Sequence, residues 1–385
     1  MQIRSSLIEI LEKLIAYPTV SKESNLELIK FINDFLNHNG ISSEIIYNDL
    51  KTKANLFATI GPMVRGGVVL SGHTDVVPVE QQKWKTEPFL LKDNGNIYTG
   101  RGTADMKSFI ATSLAFLPEM TRSSLKAPIH LAFSYDEEVG CIGVPSMIKF
   151  IKEKIPHPKA IIVGEPTNMK VVSAHKGVTG LTIEVKGKEA HSSQTHLGVS
   201  AVMVAGEIIN FVSELNKENI LYGKKDKNFH PDHSTLTVNT VQGGSALNIL
   251  AGYCKLSLDV RSLPNEKPEI YVNKIISFCK EKLLTKIRET STDCEININI
   301  IASTPALKYK KNSEAEILSR SITGDNQIRS VSFAAEAGQF QEAKMETIIC
   351  GPGSIEQAHQ PDEYIKKEQI ILCQGFISKL INRLS

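Results

Sequence analysis

The sequence predicts an α/β protein: a mixed, largely parallel sheet with helices on both faces, into which a smaller α/β sandwich is inserted. Two observations predict this class. Outside the middle of the chain, short continuous apolar runs alternate with helical stretches, as in strands that are buried on both faces. In the middle of the chain, apolar and polar residues alternate strictly, which is typical of an antiparallel sheet with one face in water.

The first domain is expected to span residues 1–177 and 304–385. Helices are predicted where apolar residues recur at intervals of three and four residues. Such segments lie at 7–15, 28–36 and about 366–384. Strands are predicted at the continuous apolar runs, which are 67–70, 129–133, 160–163 and 347–350.

The inserted domain is expected to span residues 178–303. Its strands are predicted from strict apolar and polar alternation over 181–186, 255–261 and 295–300. Two helical segments, at about 200–215 and 267–288, lie between these strands. This order of elements predicts a small α/β sandwich.

Composition excludes several classes of function. The chain carries 44 Lys and Arg against 42 Asp and Glu, whereas nucleic-acid binding favours a large positive excess. No apolar run approaches the roughly 18 residues of a membrane span, and the first residues lack the unbroken apolar stretch of a signal peptide. The six cysteines show no close pairing, so we expect reduced thiols in a cytoplasmic protein.

Five acidic or histidine-bearing segments follow apolar runs or lie just beyond them. They are residues 71–75, 100–107, 136–140, 164–167 and 351–359. In open α/β sheets, ligands bind beyond the carboxyl ends of the strands, so these segments can converge on one crevice. Carboxylates packed together repel each other unless cations neutralise them. Two histidines and three carboxylates suit a two-metal site, and this mixture of ligands favours zinc, with cobalt or manganese possible.

Local patterns within these segments favour the same chemistry. In an extended His-x-Asp, Asp75 lies on the same side as His73 and can accept its second N–H. Glu137 and Glu138 would point opposite ways in an extended strand, so one could bind metal while the other moves protons. Asp105 precedes a predicted helix at 108–117 and could equally be a simple N-terminal cap.

The series SGHTDVVP, GRGTADMK, DEEVG, GEPT and AHSS resembles the di-zinc aminoacylase and carboxypeptidase G family along the whole chain. The resemblance implies a zinc-peptidase-like catalytic domain with two zinc ions and an inserted lid or dimerisation domain. Carried over by motif, His73 and Glu165 would hold one zinc ion. Glu138 and His359 would hold the other, and Asp105 would bridge the two.

The same resemblance implies roles for five further residues. Glu137 would be the general base and acid, and Asp75 would orient the first zinc-binding histidine. His191, in GKEAHSS, would reach across a homodimer to stabilise the oxyanion of the tetrahedral intermediate. Asn248 and Arg261 would contact the carboxylate side of the substrate. Taken without the resemblance, His191 and Arg261 could equally be surface residues.

Two segments bear on the substrate. GPGSIEQAHQPDEYI and SFAAEAGQF most resemble the branch of this family that removes acetate from N2-acetyl-L-ornithine during arginine synthesis. Succinyl-diaminopimelate desuccinylase, which has a shorter loop around this histidine, another acylamino-acid deacylase, a dipeptidase and a metal-binding relative without activity remain as alternatives. Ala334-Ala335, which lacks a hydroxyl usual before Glu336, and Ala190 depart from the family pattern, but none of them is a proposed ligand.

Overall fold

The computed structural model describes residues 2–385 and the side chains from Leu7 onward; Met1, which falls in the expected first domain, lies outside the described residues. In chain order the helices are α1 (Gln2–Ala16), α2 (Leu26–His38), α3 (Lys107–Ala115), α4 (Leu117–Arg122), α5 (Val144–Lys154), α6 (Ala201–Tyr222), α7 (Glu269–Ser277), α8 (Leu284–Arg288), α9 (Glu314–Thr323), α10 (Ala337–Glu342) and α11 (Lys367–Leu384). A 3₁₀ turn (Thr195–Leu197) and a π-helical segment (Phe278–Leu283) add to these.

The strands are β1 (Ser43–Tyr47), β2 (Ala54–Ile60), β3 (Val68–His73), β4 (Lys92–Asp93), β5 (Ile97–Thr99), β6 (Ile129–Ser134), β7 (Ala160–Pro166), β8 (Ala174–His175), β9 (Gly177–Lys186), β10 (Thr235–Gly243), β11 (Tyr253–Ser262), β12 (Glu295–Thr304), β13 (Ser330–Val331), β14 (Thr347–Gly351) and β15 (Tyr364–Lys366). The chain divides into two compact units. The first contains the described residues up to Ala174, with Leu307–Arg329 and Ala335–Ser385, and the second contains His175–Ala306 and Ser330–Ala334.

A six-stranded sheet in the order β1-β2-β6-β3-β7-β14 forms the centre of the first unit. The four strands from β6 to β14 are parallel, whereas β2 and β1 run antiparallel at one edge. All residues of β3, β6, β7 and β14 are buried, which explains why these strands appear in the sequence as continuous apolar runs. The predicted mixed, largely parallel sheet is confirmed.

Successive residues of these strands face opposite sides of the sheet. Leu70, Leu131 and Ile162 belong to one large core that also contains buried residues of α1, α2, α3 and α11. Their neighbours Val69 and Ile161 are equally buried but lie outside that core, and α5 and α10 contact the sheet strands as well. Helices therefore cover both faces, as the sequence predicts.

The second unit contains a four-stranded antiparallel sheet in the order β10-β11-β9-β12. Along β11, buried residues alternate with half-buried or exposed ones, because only one face packs against helices. That face forms a separate core with α6, α7, α8 and the π-helical segment. Among the described residues, no helix has the length and apolar character that crossing a bilayer requires.

Candidate active site

The candidate site lies at the carboxyl ends of the parallel strands of the first unit. His73 is the last residue of β3, and Glu165 is the penultimate residue of β7. Glu137 and Glu138 follow the end of β6 within four residues. Because neighbouring parallel strands end at the same edge of the sheet, residues far apart in the chain meet there.

Asp105 lies between two imidazole rings. Its Oδ1 is 2.9 Å from Nε2 of His73, and its Oδ2 is 3.4 Å from Nε2 of His359. Nε2 of His73 is also 3.6 Å from Oε1 of Glu165. Nε2 of His359 is 3.0 Å from Oε2 of Glu138. The five residues predicted as metal ligands therefore form one connected cluster, in which the carboxylate of Asp105 lies between the two histidines.

The contacts of His73 define which of its nitrogens is free. Nδ1 lies 2.9 Å from the main-chain carbonyl oxygen of Asp75, and a carbonyl can only accept, so Nδ1 donates this hydrogen bond. In the neutral ring, the lone pair is then on Nε2 and points toward the carboxylates of Asp105 and Glu165. This is the tautomer that a metal ligand requires.

The carboxylate of Asp75 has a different role from the one expected. Its Oδ1 is 3.6 Å from Nδ1 of His73, too far for a good hydrogen bond. It accepts instead from the backbone N–H groups of Glu137, at 3.0 Å, and Glu138, at 3.3 Å, and from the hydroxyl of Ser21, at 2.6 Å. Asp75 therefore orients the histidine through its backbone and the two glutamates through its side chain.

Glu137 and Glu138 lie in a turn, which differs from the extended geometry assumed in the sequence analysis. Asp136 has a φ of 53°, and its carboxylate binds the ammonium of Lys53 at 2.6 Å. The carbonyl of Glu137 then accepts from the N–H of Cys141 at 2.8 Å. Because the backbone turns here, both glutamates face the cluster instead of opposite sides.

The alternative that Asp105 is a helix cap is wrong. Helix α3 begins at Lys107, its N-cap residue is Met106, and no side chain caps it. The carboxylate of Asp105 contacts the two histidines, and its own backbone N–H donates to Glu363 at 3.0 Å. Gly164 allows α3 to lie close to this region, because a Cβ at that position would be 2.2 Å from the ring of Phe109.

Electrostatics in the cluster are dominated by buried negative charge. Burial, followed by the charge of Asp105, raises the pKa of Glu165 well above its usual value. Burial, together with the charges of Glu138 and Asp105, raises the pKa of Glu137 to about 8. Although burial opposes it, hydrogen bonds to Asp105 and Glu138 raise the pKa of His359 to about 10. Neighbouring negative charge contributes to all three shifts, because it disfavours ionised glutamate and favours protonated histidine.

The donor set fits divalent cations. Ligand atoms of His73, Asp105 and Glu138 lie within 4.8 Å of one another, and so do those of His73, Glu137 and Glu165. Within the described part of the chain, Oε1 of Glu165 is buried without a hydrogen-bond partner. A buried carboxylate oxygen without a donor is costly, and a cation would satisfy it. The distances alone place Glu137 as close to the cluster as the predicted ligands.

The other three predicted site residues lie in the second unit. His191 is exposed and forms a bridge with Ile249, and the N–H of Ser192 donates to the carbonyl of Asn248 at 2.9 Å. His191 and Asn248 therefore lie on neighbouring segments. Asn248 precedes the start of β11, whereas Arg261 lies near the end of that strand, where its guanidinium donates to Asp259 at 2.8 Å.

Sequence reasoning missed the residues that support the cluster. Glu336 is buried and accepts from the hydroxyls of Ser71, at 2.5 Å, and Ser134, at 2.8 Å, so it joins the ends of β3 and β6. Glu363 accepts from the backbone of the segment that carries Asp105. Both glutamates lie in segments that were noted for their resemblance to relatives, and an acidic residue within an otherwise apolar or catalytic segment was the available signal.

Known proteins similar to this chain share its full length. The model for peptidase family M20/M25/M40 matches residues 69–383. An acetylornithine deacetylase from Buchnera aphidicola subsp. Acyrthosiphon pisum is 32% identical over 98% of both chains. The acetylornithine deacetylase of Pasteurella multocida is 31% identical, again over 98% of both chains.

Solved structures show the same fold at low sequence identity. Human carnosine dipeptidase 1 has a TM-score of 0.74 at 16% identity, over 99% of this chain and 97% of that one. The M20 family metallo-carboxypeptidase Sso-CP2 of Sulfolobus solfataricus has a TM-score of 0.76 at 16% identity, over 97% and 98%. A dinuclear metal-binding M20 peptidase of Bacillus subtilis has a TM-score of 0.62 at 16% identity, over 100% and 99%. The family predicted from the motifs is confirmed: this chain belongs to peptidase family M20/M25/M40, a family of metal-dependent hydrolases.

Proposed function

We propose that the chain is a cytoplasmic, homodimeric di-zinc amidohydrolase that converts N2-acetyl-L-ornithine and water to L-ornithine and acetate, a step of arginine biosynthesis. The observation that carries this proposal is the carboxylate of Asp105 between His73 and His359, with Glu138 and Glu165 against the same two rings. The curated relatives named acetylornithine deacetylase support the substrate. The six cysteines form no disulfide among the described residues, which supports a reducing compartment.

In this proposal His73 and Glu165 would hold one ion, Glu138 and His359 would hold the other, and Asp105 would serve both. Two divalent cations bound there, zinc or alternatively cobalt or manganese, would lower the pKa of water and stabilise developing negative charge on oxygen. The chain itself contributes the orientation of these ligands. The carbonyl of Asp75 fixes the tautomer of His73, as its 2.9 Å contact indicates.

Glu137 is proposed to move the proton. Its carboxylate accepts a proton from the water that attacks the acetyl carbonyl, and it returns a proton to the α-amino nitrogen as the C–N bond breaks. Asp75 holds this residue through its backbone N–H at 3.0 Å. The thiol of Cys141 donates to Oε1 of Glu137 at 3.3 Å, which leaves the second carboxylate oxygen for the proton transfer.

Residues of the second unit are proposed to complete the site. His191 would donate to the oxyanion, and Asn248 and Arg261 would contact the carboxylate side of the substrate. Tyr253, at the start of β11, pairs with Lys186, and the His191 segment continues past this end of the sheet. Arg261 is eight residues from Tyr253 along β11, so Arg261 and His191 are more than about 25 Å apart at 3.3 Å per residue. One small substrate cannot touch both ends of one sheet. This separation supports a homodimer in which His191 and the neighbouring Asn248 act on the partner's substrate, whereas Arg261 acts on the substrate of its own chain.

A kinetic panel tests the proposed substrate. The zinc- and cobalt-loaded protein would be assayed with N2-acetyl-ornithine, N2-succinyl-ornithine, N5-acetyl-ornithine, succinyl-diaminopimelate and simple dipeptides. We expect kcat/KM for N2-acetyl-ornithine to exceed the others by at least about tenfold, or 1.4 kcal/mol of transition-state stabilisation. Faster turnover of the succinyl compounds would indicate a desuccinylase, and faster turnover of dipeptides would indicate a dipeptidase. Failure to hydrolyse any of them would contradict the proposal.

A further inference from the structure

A buried ion pair contacts the backbone of the segment that carries Asp105. The guanidinium of Arg101 donates to Oε2 of Glu363 at 2.8 Å, and both side chains are only 1% exposed. Oε2 of Glu363 also accepts from the N–H of Gly102 at 3.0 Å, and Oε1 accepts from the N–H groups of Ala104, at 2.8 Å, and Asp105, at 3.0 Å. All four partners are donors, so the group acts as an ionised carboxylate around which the 102–105 segment folds.

The same arginine also reaches the loop that carries His359. Its Nη2 donates to the amide oxygen of Gln82 at 2.5 Å, and the amide nitrogen of Gln82 donates to the carbonyl of His359 at 2.9 Å. Arg101 lies over the ring of Trp84, 5.0 Å from its centroid, and the indole N–H of Trp84 donates to Gln82 at 3.1 Å. Arg101 thus contacts both Glu363, which binds the backbone of Asp105, and Gln82, which binds the backbone of His359.

His359 needs such a hold more than His73 does. The side chain of His73 is 1% exposed and fixed by packing, whereas that of His359 is 48% exposed. The backbone of His359 also has a φ of 62°, a left-handed conformation that few residues other than glycine adopt. Surrounding contacts must therefore keep this residue in place. A metal site requires its ligands to be held within about 0.5 Å of the productive geometry.

We propose that Glu363 is a positioning residue for the metal ligands and that Arg101 and Gln82 extend its hold to His359. One buried ion pair then sets the position of the Asp105 carboxylate relative to the His359 imidazole. The inference rests on the proposed function in so far as Asp105 and His359 are taken as metal ligands. None of the three positioning side chains contacts a ligand's side chain, so they act through the backbone.

The alternative is that the ion pair only stabilises the fold, and a second arginine–glutamate pair provides the control. On α9, in the same unit, Arg320 donates to Glu316 at 2.8 Å, and these side chains are 14% and 7% exposed. Among the described residues, this pair makes no contact with the cluster of candidate ligands. Glu316→Gln therefore removes one arginine–glutamate ion pair, as Glu363→Gln does, but this pair does not contact the segments that carry the candidate ligands.

The test compares Glu363→Gln with Glu316→Gln in the full-length protein. Zinc affinity would be measured by competition with a chelator, and the ligand geometry by the visible absorption spectrum of the cobalt-loaded protein. We expect Glu363→Gln to weaken zinc binding by roughly 10- to 100-fold and to change the cobalt spectrum. We expect Glu316→Gln to lower thermal stability and to leave both metal readouts unchanged. Equal zinc affinities and identical spectra for the two variants would overturn the proposal.

A milder variant covers the case in which Glu363→Gln does not fold. Gln82 is only half-buried, and Gln82→Met removes its contact with the His359 carbonyl while leaving the ion pair intact. We expect this variant to fold and to lose a few-fold in affinity for one of two zinc ions; unchanged affinity for both would contradict the role given to Arg101 and Gln82. A wild-type protein that binds two zinc ions but hydrolyses no acylamino acid would refute the proposed function and leave this inference standing.

Discussion

The two units present their candidate functional residues in opposite ways. In the first unit, His73 is 1% and Asp105 is 5% exposed, and each contacts other members of the cluster. In the second unit, His191 and Asn248 are exposed, and the side chain of Arg261 is 36% exposed with a single acidic neighbour on its own strand. One set of residues is assembled within one chain, whereas the other is exposed to solvent in that chain.

This difference has an energetic basis. Withdrawing a carboxylate from water costs several kcal/mol, so the buried glutamates and Asp105 can remain ionised together only if opposite charge compensates them. A bound cation would supply this opposite charge, so the buried carboxylates indicate a cation site. An exposed histidine or arginine has no such cost, and its position is compatible with many roles. Experiments on the first unit should thus change chemistry strongly, and experiments on the second should depend on a partner chain or on the substrate.

The largest effect is expected for Glu137→Gln. The amide cannot accept the proton of the attacking water, so we expect kcat to fall by about 10³-fold while zinc content stays the same. Glu23→Gln, a change of an exposed glutamate in the same unit, should leave kcat unchanged. The measurement is steady-state deacetylation with metal analysis of each preparation. Undiminished turnover in Glu137→Gln would refute the assigned base.

The next largest effect is expected for His191→Ala. Loss of one donor to the oxyanion should lower kcat by about 10²-fold. His196→Ala is the matched control, because this exposed histidine lies five residues further along the same segment. If both variants lose the same activity, or neither does, His191 has no specific role in the reaction.

The partner-chain role of His191 can be tested by mixing two inactive variants. A dimer of one Glu137→Gln chain and one His191→Ala chain has one intact site only if the histidine acts across the interface. Mixing equal amounts should then restore about a quarter of wild-type activity, because half of the dimers are mixed and each has one working site. A mixture as inactive as its components would place His191 in its own chain's site, or in none.

Much of the fold could be predicted because buried parallel strands leave a simple mark in the sequence. The four apolar runs of the first domain correspond to β3, β6, β7 and β14, all of whose residues are buried. Strand β10 leaves no such mark. It lies at the edge of its sheet, and its last five residues, 239–243, are all exposed, so neither face imposes an apolar pattern.

The candidate ligands could be predicted because metal chemistry restricts the residue types and the sheet restricts their places. The residues that position them could not. Glu363 acts through backbone N–H groups, which every segment of the chain possesses, so its acidic side chain is visible in the sequence but its partners are not. The turn at Glu137 is accompanied by an ion pair between Asp136 and Lys53, which are 83 positions apart in the sequence.

A smaller effect is expected for Arg261→Lys. Lysine keeps the charge but cannot bind a carboxylate with two parallel hydrogen bonds, so KM for acetylornithine should rise about tenfold with little change in kcat. Lys255→Arg, on the same strand and paired with Glu184, is the control and should leave KM unchanged. Initial rates over a range of substrate concentrations separate the two parameters. An unchanged KM in Arg261→Lys would indicate that Arg261 is a surface residue without a role in substrate binding.

The smallest effect on activity is expected for a buried histidine that is not part of the cluster. His130, on β6, is fully buried, and burial lowers its pKa to about 4. The folded state thus favours the neutral ring, and the stabilisation is complete above the ordinary pKa of about 6.5 and is lost as the pH falls toward 4. Relative to His130→Gln, the wild type should lose about 3 kcal/mol of unfolding free energy between pH 7 and pH 4. Urea denaturation at several pH values measures this difference, and parallel pH profiles for the two proteins would contradict it. If the expected loss is observed, burial alone makes His130 important for stability without giving it a function. His73 differs because it is buried among candidate metal ligands.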